Sequence, residues 1–135
     1  MVTQRRFAVI AVCLVLIFGA CGMNGPSTYR LATTAASPGD GYLGGLQGVL
    51  GGQVNGDGSA CLWVQAAAPD KTDLIWPAGY TASDKPLRVV DASGKTLAAV
   101  GQTVALQGGR SVGQSAEGCH DASQTWVVAK VMSAK

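Results

Sequence analysis

The pattern of hydrophobic and polar positions divides the chain into three parts. An uninterrupted apolar run extends from Phe7 to Cys21. Small and polar residues without a period of two or 3.6 residues follow, from Gly22 to about Tyr42. Beyond them, short apolar segments alternate with glycine-containing turns. We therefore predict three segments, which are residues 1–20, residues 21–42 and residues 43–135.

The third segment predicts an all-β domain. Asn55-Gly56-Asp57-Gly58 is a strong hairpin turn between the apolar stretches 46–54 and 60–65, because these residues tolerate a positive φ. Further short apolar stretches cover residues 74–76, 87–91, 96–100, 103–106 and 125–132. Short strands separated by Gly-rich turns favour a small antiparallel barrel (OB-like) or a compact sandwich of about six strands.

The first segment has the properties of a secretory signal peptide. Arg5 and Arg6 precede the apolar run, and the small residues Gly19 and Ala20 end it. The run is shorter than the roughly 20 apolar residues that a transmembrane helix needs. We expect the segment to direct export and to be removed.

The residues Phe18-Gly19-Ala20-Cys21 resemble the lipobox of bacterial lipoproteins, with Phe18 where that family usually has Leu. The resemblance implies that the Cys21 thiol carries a diacylglycerol and that cleavage makes Cys21 the first residue. Each buried acyl methylene contributes about 0.8 kcal/mol, so two or three chains hold a small domain on a membrane. Residues 21–42 would then be the lipidated Cys and a flexible tether, which spans roughly 25 Å. The expected location is the bacterial cell envelope, outside the cytoplasm.

Composition agrees with one small exported domain. The chain has 135 residues, 19 of them glycine, and only 13% are charged. Loss of Arg5 and Arg6 would leave eight basic and eight acidic side chains. This balance does not support nucleic-acid binding or a polybasic membrane patch.

Cys61 and Cys119 remain once Cys13 and Cys21 are assigned to the signal peptide and the lipid anchor. An even pair in an exported chain predicts a disulfide, and a redox or nucleophilic thiol is the alternative. Because no C-x-x-C motif occurs, a thioredoxin-like role is disfavoured.

A second resemblance covers residues 43–132. Cys61-Leu62, Trp76-Pro77-Ala78-Gly79-Tyr80, Asp91-Ala92-Ser93-Gly94 and the stretch from Gly101 to Gly109 form a pattern of turns and core positions. This pattern is similar to that of small extracytoplasmic barrel modules in short lipoproteins of actinobacteria and other bacteria. The resemblance implies a barrel and no activity.

Motifs that would indicate catalysis or cofactor binding are weak. Residues 39–44 match G-x-G-x-x-G without the flanking strand and helix that a dinucleotide site needs. Residues 55–59 begin like a calcium loop, but Ala66 stands where the closing carboxylate belongs. His120 is the only histidine, which leaves a serine triad or a zinc site short of partners. Asp70, Asp73, Asp84 and Asp91 read as turn residues. We predict no catalytic residue, metal or cofactor.

The remaining candidates are aromatic. Trp76 and Tyr80, together with Trp63, form a speculative ligand surface, although Trp63 and Trp126 would also suit a barrel core. We weigh three functions. The preferred one is a non-catalytic envelope lipoprotein that serves as an interaction or accessory module for an unknown envelope protein. The alternatives are a lipoprotein that binds a small ligand or glycan through this aromatic surface, and an envelope enzyme built around His120.

Overall fold

The computed structural model describes residues 25–35, 44–67, 70–111, 113–120 and 124–135. The predicted signal peptide and the predicted lipidation site Cys21 lie outside these residues. The described residues form ten strands, which are β1 (Thr28–Arg30), β2 (Thr33–Thr34), β3 (Gly44–Val54), β4 (Ala60–Ala67), β5 (Asp70–Pro77), β6 (Thr81–Ser83), β7 (Arg88–Val90), β8 (Thr96–Ala99), β9 (Thr103–Ser111) and β10 (Gln124–Ala134). Within the described ranges, no helix is long and apolar enough to cross a membrane.

Five strands close into a barrel. The hydrogen-bonded order is β10–β9–β3–β4–β5, and β10 also pairs with β5. The β5–β10 pairing is parallel, with Gln124 opposite Thr72 and Val127 opposite Ile75, whereas the other barrel pairs are antiparallel. The predicted all-β class is confirmed, and the structure is a barrel with a second sheet.

The second sheet has the order β1–β6–β7–β8 and is antiparallel. β6, β7 and β8 lie in the chain between β5 and β9, so this sheet is largely an insertion between two barrel strands. β6 lies between the apolar stretches 74–76 and 87–91 and was not among the predicted strands, since its three residues are too few to show a period. The described residues therefore contain ten strands, more than the predicted six or so.

The predicted tether is wrong for residues 27–34. Here Thr28–Arg30 pairs with β6, and Thr33–Thr34 pairs in parallel with the end of β5. Leu31 and Ala32, between the two strands, are buried. We call residues 27–34 the strap. Its strand partners in β5 and β6 are more than 40 positions away in the chain, so local sequence gives no sign that the strap joins the domain.

The main hydrophobic cluster fills the barrel and extends to the second sheet. Its fully buried members include Trp76, Leu50, Leu62, Leu74, Leu106, Val64, Val89, Val104 and Val128. Trp126 also belongs to it, and a Cβ added at Gly108 or Gly44 would collide with the Trp126 indole. Because neither glycine has a side chain, the indole can lie against the backbone at both positions. The prediction that Trp126 suits the barrel core is confirmed.

A smaller cluster lies on the opposite face of β5 and β10. Ile75 and Val127 alternate with the inward-facing residues of their strands and pack with Ala32 and Ala116. Residues 113–120, which we call the covering loop, supply Ala116 and the partly buried Cys119. The outer cluster is thus closed by the strap and the covering loop.

Candidate functional site

A cleft of about 540 Å³ lies where the strap, the β3–β4 turn, β6 and the covering loop meet. Its lining includes Arg30, Leu31, Thr33, Ser59, Tyr80 and Glu117. This volume is in the range of sites for small molecules. Four separate segments of the chain form the cleft, so its shape depends on how firmly each is held.

The strap is held against the β3–β4 turn by backbone contacts. The Arg30 N–H donates to the Gly58 carbonyl at 3.0 Å, and Arg30 forms an isolated parallel bridge with Ser59. At its other end, the Ser27 N–H donates to Asp84 Oδ1 at 2.7 Å, and the Tyr29 hydroxyl donates to Asp84 Oδ2 at 3.0 Å. The hydrogen bond from Ser27, followed by that from Tyr29, lowers the pKa of Asp84 below its usual 3.8.

The β3–β4 turn is ordered by its own side chains. Asp57 Oδ1 accepts hydrogen bonds from the Ser59 hydroxyl at 2.6 Å and from the Ser59 N–H at 3.0 Å. The pKa of the Asp57 carboxyl is lowered by the hydrogen bond from the Ser59 hydroxyl, then by that from the Ser59 N–H, and further by the charge of Arg30. Residues 55–59, which resemble the start of a calcium loop, therefore form a hydrogen-bonded turn.

The covering loop is joined to the barrel twice. Cys119 and Cys61 form the predicted disulfide, with their Cα atoms 5.0 Å apart, and this prediction is confirmed. The Asn55 side-chain amide donates to the Gly118 carbonyl at 2.8 Å and to Ser59 Oγ at 2.9 Å. Glu117, the residue before Gly118, is thereby held at the lining of the cleft.

The cleft carries both signs of charge on exposed side chains. Arg30 Nη2 makes one long hydrogen bond, 3.3 Å to the Asp57 carbonyl, and Arg30 lines the cleft. Neither Arg30 nor Glu117 forms a salt bridge with another of the described residues. An anionic group and a cationic group on one ligand or partner would both find a counter-charge here.

The predicted aromatic surface is corrected by the structure. Trp76 has no exposed surface, and it is the largest fully buried side chain, so it cannot contact a ligand. Tyr80 stacks on Trp76, with centroids 6.2 Å apart and planes at 23°, and lines the cleft. Pro77 is the last residue of β5, and the indole before it turns into the barrel because alternate residues of β5 face inward.

Trp63 lies elsewhere, half-buried on the outer face of β4 and outside the cleft. Its indole covers Gly51, where a Cβ would collide with it, and Lys71 Nζ lies 4.4 Å from the ring centroid. A cation over an aromatic face is favourable by about 0.5–1 kcal/mol at exposed sites. Trp63 is thus neither a core residue of the barrel nor a neighbour of Tyr80.

His120 is exposed, and no hydrogen bond or ion pair joins it to another of the described residues. Asp121, its neighbour in the sequence, lies outside the described residues. The hypothesis of an enzyme built around His120 required a carboxylate or a second ligand within hydrogen-bond reach, and none of the described residues supplies one.

Sequence reasoning missed Arg30 and Glu117, which it assigned to a tether and a loop. It also misread Asp73 as a turn residue. Asp84 and Asp91 do accept hydrogen bonds from nearby backbone N–H groups, as predicted for turn residues. The pKa of Asp91 is lowered by hydrogen bonds from the Ser93 hydroxyl and from the Lys95 and Ser93 N–H groups. Asp73, in contrast, is buried within β5, with Oδ1 3.8 Å from Cys61 Sγ. The signal available was its position one residue before the apolar Leu74-Ile75-Trp76.

Comparison with protein-family models, with curated proteins and with solved structures found no match to this chain.

Proposed function

We propose that this protein is a cell-envelope lipoprotein, anchored through acyl chains on Cys21, whose barrel domain acts as a non-catalytic interaction module. The contact site is the cleft between the strap and the covering loop. The observation that carries this proposal is the pair of exposed, opposite charges, Arg30 and Glu117, on two segments that are both fixed to the barrel.

Preorganisation supports binding at this site. A rigid surface loses little conformational freedom when a partner docks, so more of the contact energy appears as affinity. The strap, the turn and the covering loop are each held by backbone hydrogen bonds, side-chain hydrogen bonds or the disulfide. The cleft therefore does not need to be assembled by its partner.

The chemistry of the cleft favours recognition over catalysis. Ser59 is its buried hydroxyl, and it donates to Asp57 Oδ1 and accepts from the Asn55 amide. Both partners hold the hydroxyl in the turn. The Asn55 amide is not a base, and the lowered pKa of Asp57 makes its carboxylate a weak base for the serine proton. The polar groups of the cleft therefore present charge and hydrogen bonds to a partner.

The anchor is tested by intact-mass analysis of membrane-extracted protein, with wild type beside Cys21→Ala. The wild-type chain should begin at Cys21 and carry the added mass of acyl chains, while the variant should be neither acylated nor cut at this position. A wild-type protein of unmodified full-length mass would refute the anchor.

The cleft is tested by charge reversal. Arg30→Glu and Glu117→Lys should each reduce retention of the purified domain on isolated envelope material at least tenfold. Arg110→Glu is the matched control, because Arg110 is exposed on β9 and lies outside the cleft. Equal losses in all three variants would show a general effect of charge and would contradict a contact at the cleft.

A second candidate is a site for a small ligand or a glycan. Tyr80 favours it, because its half-buried ring lines the cleft beside the apolar Leu31 and the hydroxyl of Thr33. Titration with a panel of soluble oligosaccharides, followed by tyrosine and backbone NMR shifts, should then give saturable changes that Tyr80→Ala abolishes. Saturable changes that persist in Tyr80→Ala would place the ligand elsewhere.

A further inference from the structure

Three potential metal ligands meet on the outer face of the barrel, under the covering loop. The two sulfur atoms of Cys61 and Cys119 and a carboxylate oxygen of Asp73 all lie within 4.8 Å of one another. Asp73 is 7% exposed and Cys61 is 3% exposed, so two of the three groups are nine-tenths buried. None of the three residues lines the cleft.

Strand register brings Asp73 to the bridge. Trp63 on β4 is directly opposite Asp73 on β5, so Cys61, two residues earlier and on the same face, is a diagonal neighbour of Asp73. Both residues belong to paired strands of the closed barrel, which fixes their separation. Cys119 comes from the covering loop and is the member that is free to adjust.

We propose that reduction of the Cys61–Cys119 disulfide converts this cluster into a zinc site, with the two thiolates and the Asp73 carboxylate as ligands. The bridge is then the metal-free state of a redox-controlled site. Zinc takes two sulfur ligands and one carboxylate oxygen in tetrahedral sites, and the fourth position would be held by water.

The reduction requires a dithiol reductant. One of its thiolates attacks the Sγ of Cys119, which is half-buried, and the S–S bond breaks to release Cys61 as a thiolate that takes up a proton. The second thiol of the reductant then displaces Cys119 and forms the reductant's own disulfide. Two electrons pass from the reductant to the bridge, and the chain gains two thiol protons.

Zinc then replaces those two protons. Zn²⁺ forms bonds with both sulfurs and one Asp73 oxygen, and the two thiol protons leave to solvent. With Zn–S bonds of about 2.3 Å at a tetrahedral angle, the sulfurs end about 3.8 Å apart. Because the Cα atoms are 5.0 Å apart and Cys119 lies on a loop, this separation needs a shift of the loop and none of the barrel.

Charge provides the reason for a cation. Two thiolates and a carboxylate that lie within a few ångströms of one another and are mostly buried repel one another strongly. A divalent cation at the centre of the three groups stabilises all three in their ionised forms. Loss of the carboxylate should therefore weaken zinc binding even with both thiols present.

The test uses the domain reduced with dithiothreitol, freed of reductant without oxygen and titrated with Co²⁺ as a spectroscopic stand-in for zinc. We expect one equivalent to bind with a sulfur-to-cobalt charge-transfer band and tetrahedral visible bands, both displaced by Zn²⁺ with release of two protons. The oxidised protein should show none of these bands. Asp73→Asn should weaken binding at least tenfold, whereas Asp70→Asn, at the exposed start of the same strand, should not.

Urea unfolding of the reduced domain separates a native site from chelation by an unfolded chain. Zinc should raise the unfolding midpoint of the reduced wild type and of Asp70→Asn, and it should not raise that of Asp73→Asn, since only a native site stabilises the fold. The three-ligand site would be overturned if Asp73→Asn bound cobalt as tightly as the wild type does. It would also be overturned if zinc left the urea midpoint of the reduced wild type unchanged or lowered it. Absence of stoichiometric cobalt binding by the reduced wild type would overturn it as well.

Discussion

The two faces of β5 are stabilised in different ways. Leu74 and Trp76 face inward and are enclosed by the main hydrophobic cluster, whose members come from both sheets. Asp73 and Ile75 face outward and are covered by a loop and a strap that contribute small residues, Ala32 and Ala116. The inner face is held by apolar burial, which contributes about 25 cal/mol per Å². The outer face buries less apolar surface and relies on a covalent bond and directed hydrogen bonds.

This contrast explains where function would be located. An element that is held by a few specific links is released when one of them is broken, whereas a packed core fails only as a whole. The covering loop contributes Glu117 to the cleft and Cys119 to the disulfide. Changes at its links should therefore alter the cleft while the barrel persists.

Trp76→Ala should have the largest effect. Removal of this fully buried indole leaves a cavity in the main cluster and should lower the free energy of unfolding by about 3–5 kcal/mol. Ile75→Ala, one residue earlier on the outer face, should cost less because its cluster is smaller. Urea denaturation followed by circular dichroism measures both, and an equal or larger loss in Ile75→Ala would contradict the contrast between the faces.

The double variant Cys61→Ala, Cys119→Ala should follow. The bridge spans 58 positions, so its removal should cost about 4 kcal/mol in the chain-entropy model, within the usual 2–5 kcal/mol for native bridges. Hydrogen exchange should show faster exchange in residues 113–120 and unchanged protection in β3, β4 and β9. Loss of protection throughout the barrel in a still-folded protein would show that the bridge supports both faces.

Asn55→Ala should cost less, about 1–3 kcal/mol. It removes the side-chain donor to the Gly118 carbonyl and leaves that acceptor partly buried without its partner. Because the disulfide remains, we expect a local loosening near Gly118 with the barrel intact, visible as amide shifts in this loop. Gln53→Ala is the control, since the Gln53 amide makes only a 3.5 Å contact with Asn55 on the exposed side, and it should change stability by less than about 0.5 kcal/mol.

Acid should produce the smallest effect. Folding lowers the pKa values of Asp57, Asp84 and Asp91 below the ordinary 3.8, so the folded state is stabilised above that value and loses this stabilisation as the pH falls through the folded pKa values. The urea midpoint should therefore decrease as the pH falls below about 4. Replacing all three by Asn should flatten this decrease, and an equally steep decrease in the triple variant would assign it to other groups.

Local signals predicted the elements that depend on neighbours in the chain. The turn at Asn55–Gly58 lies between two long strands, as its residue types indicate, and Gly58 has φ of 83°. The pairing of Cys61 with Cys119 followed from the number of cysteines. The strap escaped prediction because its strands have two and three residues, and their partners lie in β5 and β6.

The site depended more on distant contacts than the fold did. Tyr80 was predicted and does line the cleft, but Arg30 and Glu117 reach it only because the strap and the covering loop fold onto the same end of the barrel. Pro77 and Gly79 suggest a turn beside Trp76, which favours a surface position, yet the side chain is fully buried. Which face of β5 would be inside was settled by the closure of the barrel with β10.

The amino-acid sequence by itself determined the all-β character, the hairpin turn and the pairing of two cysteines, because these depend on backbone preferences, short-range alternation and counting. Only the tertiary structure decided that residues 27–34 join the domain, that Trp76 is enclosed, and that a buried carboxylate lies beside the disulfide. Each of these results from pairing between strands far apart in the chain, and a one-residue change of register would have turned each side chain to the other face.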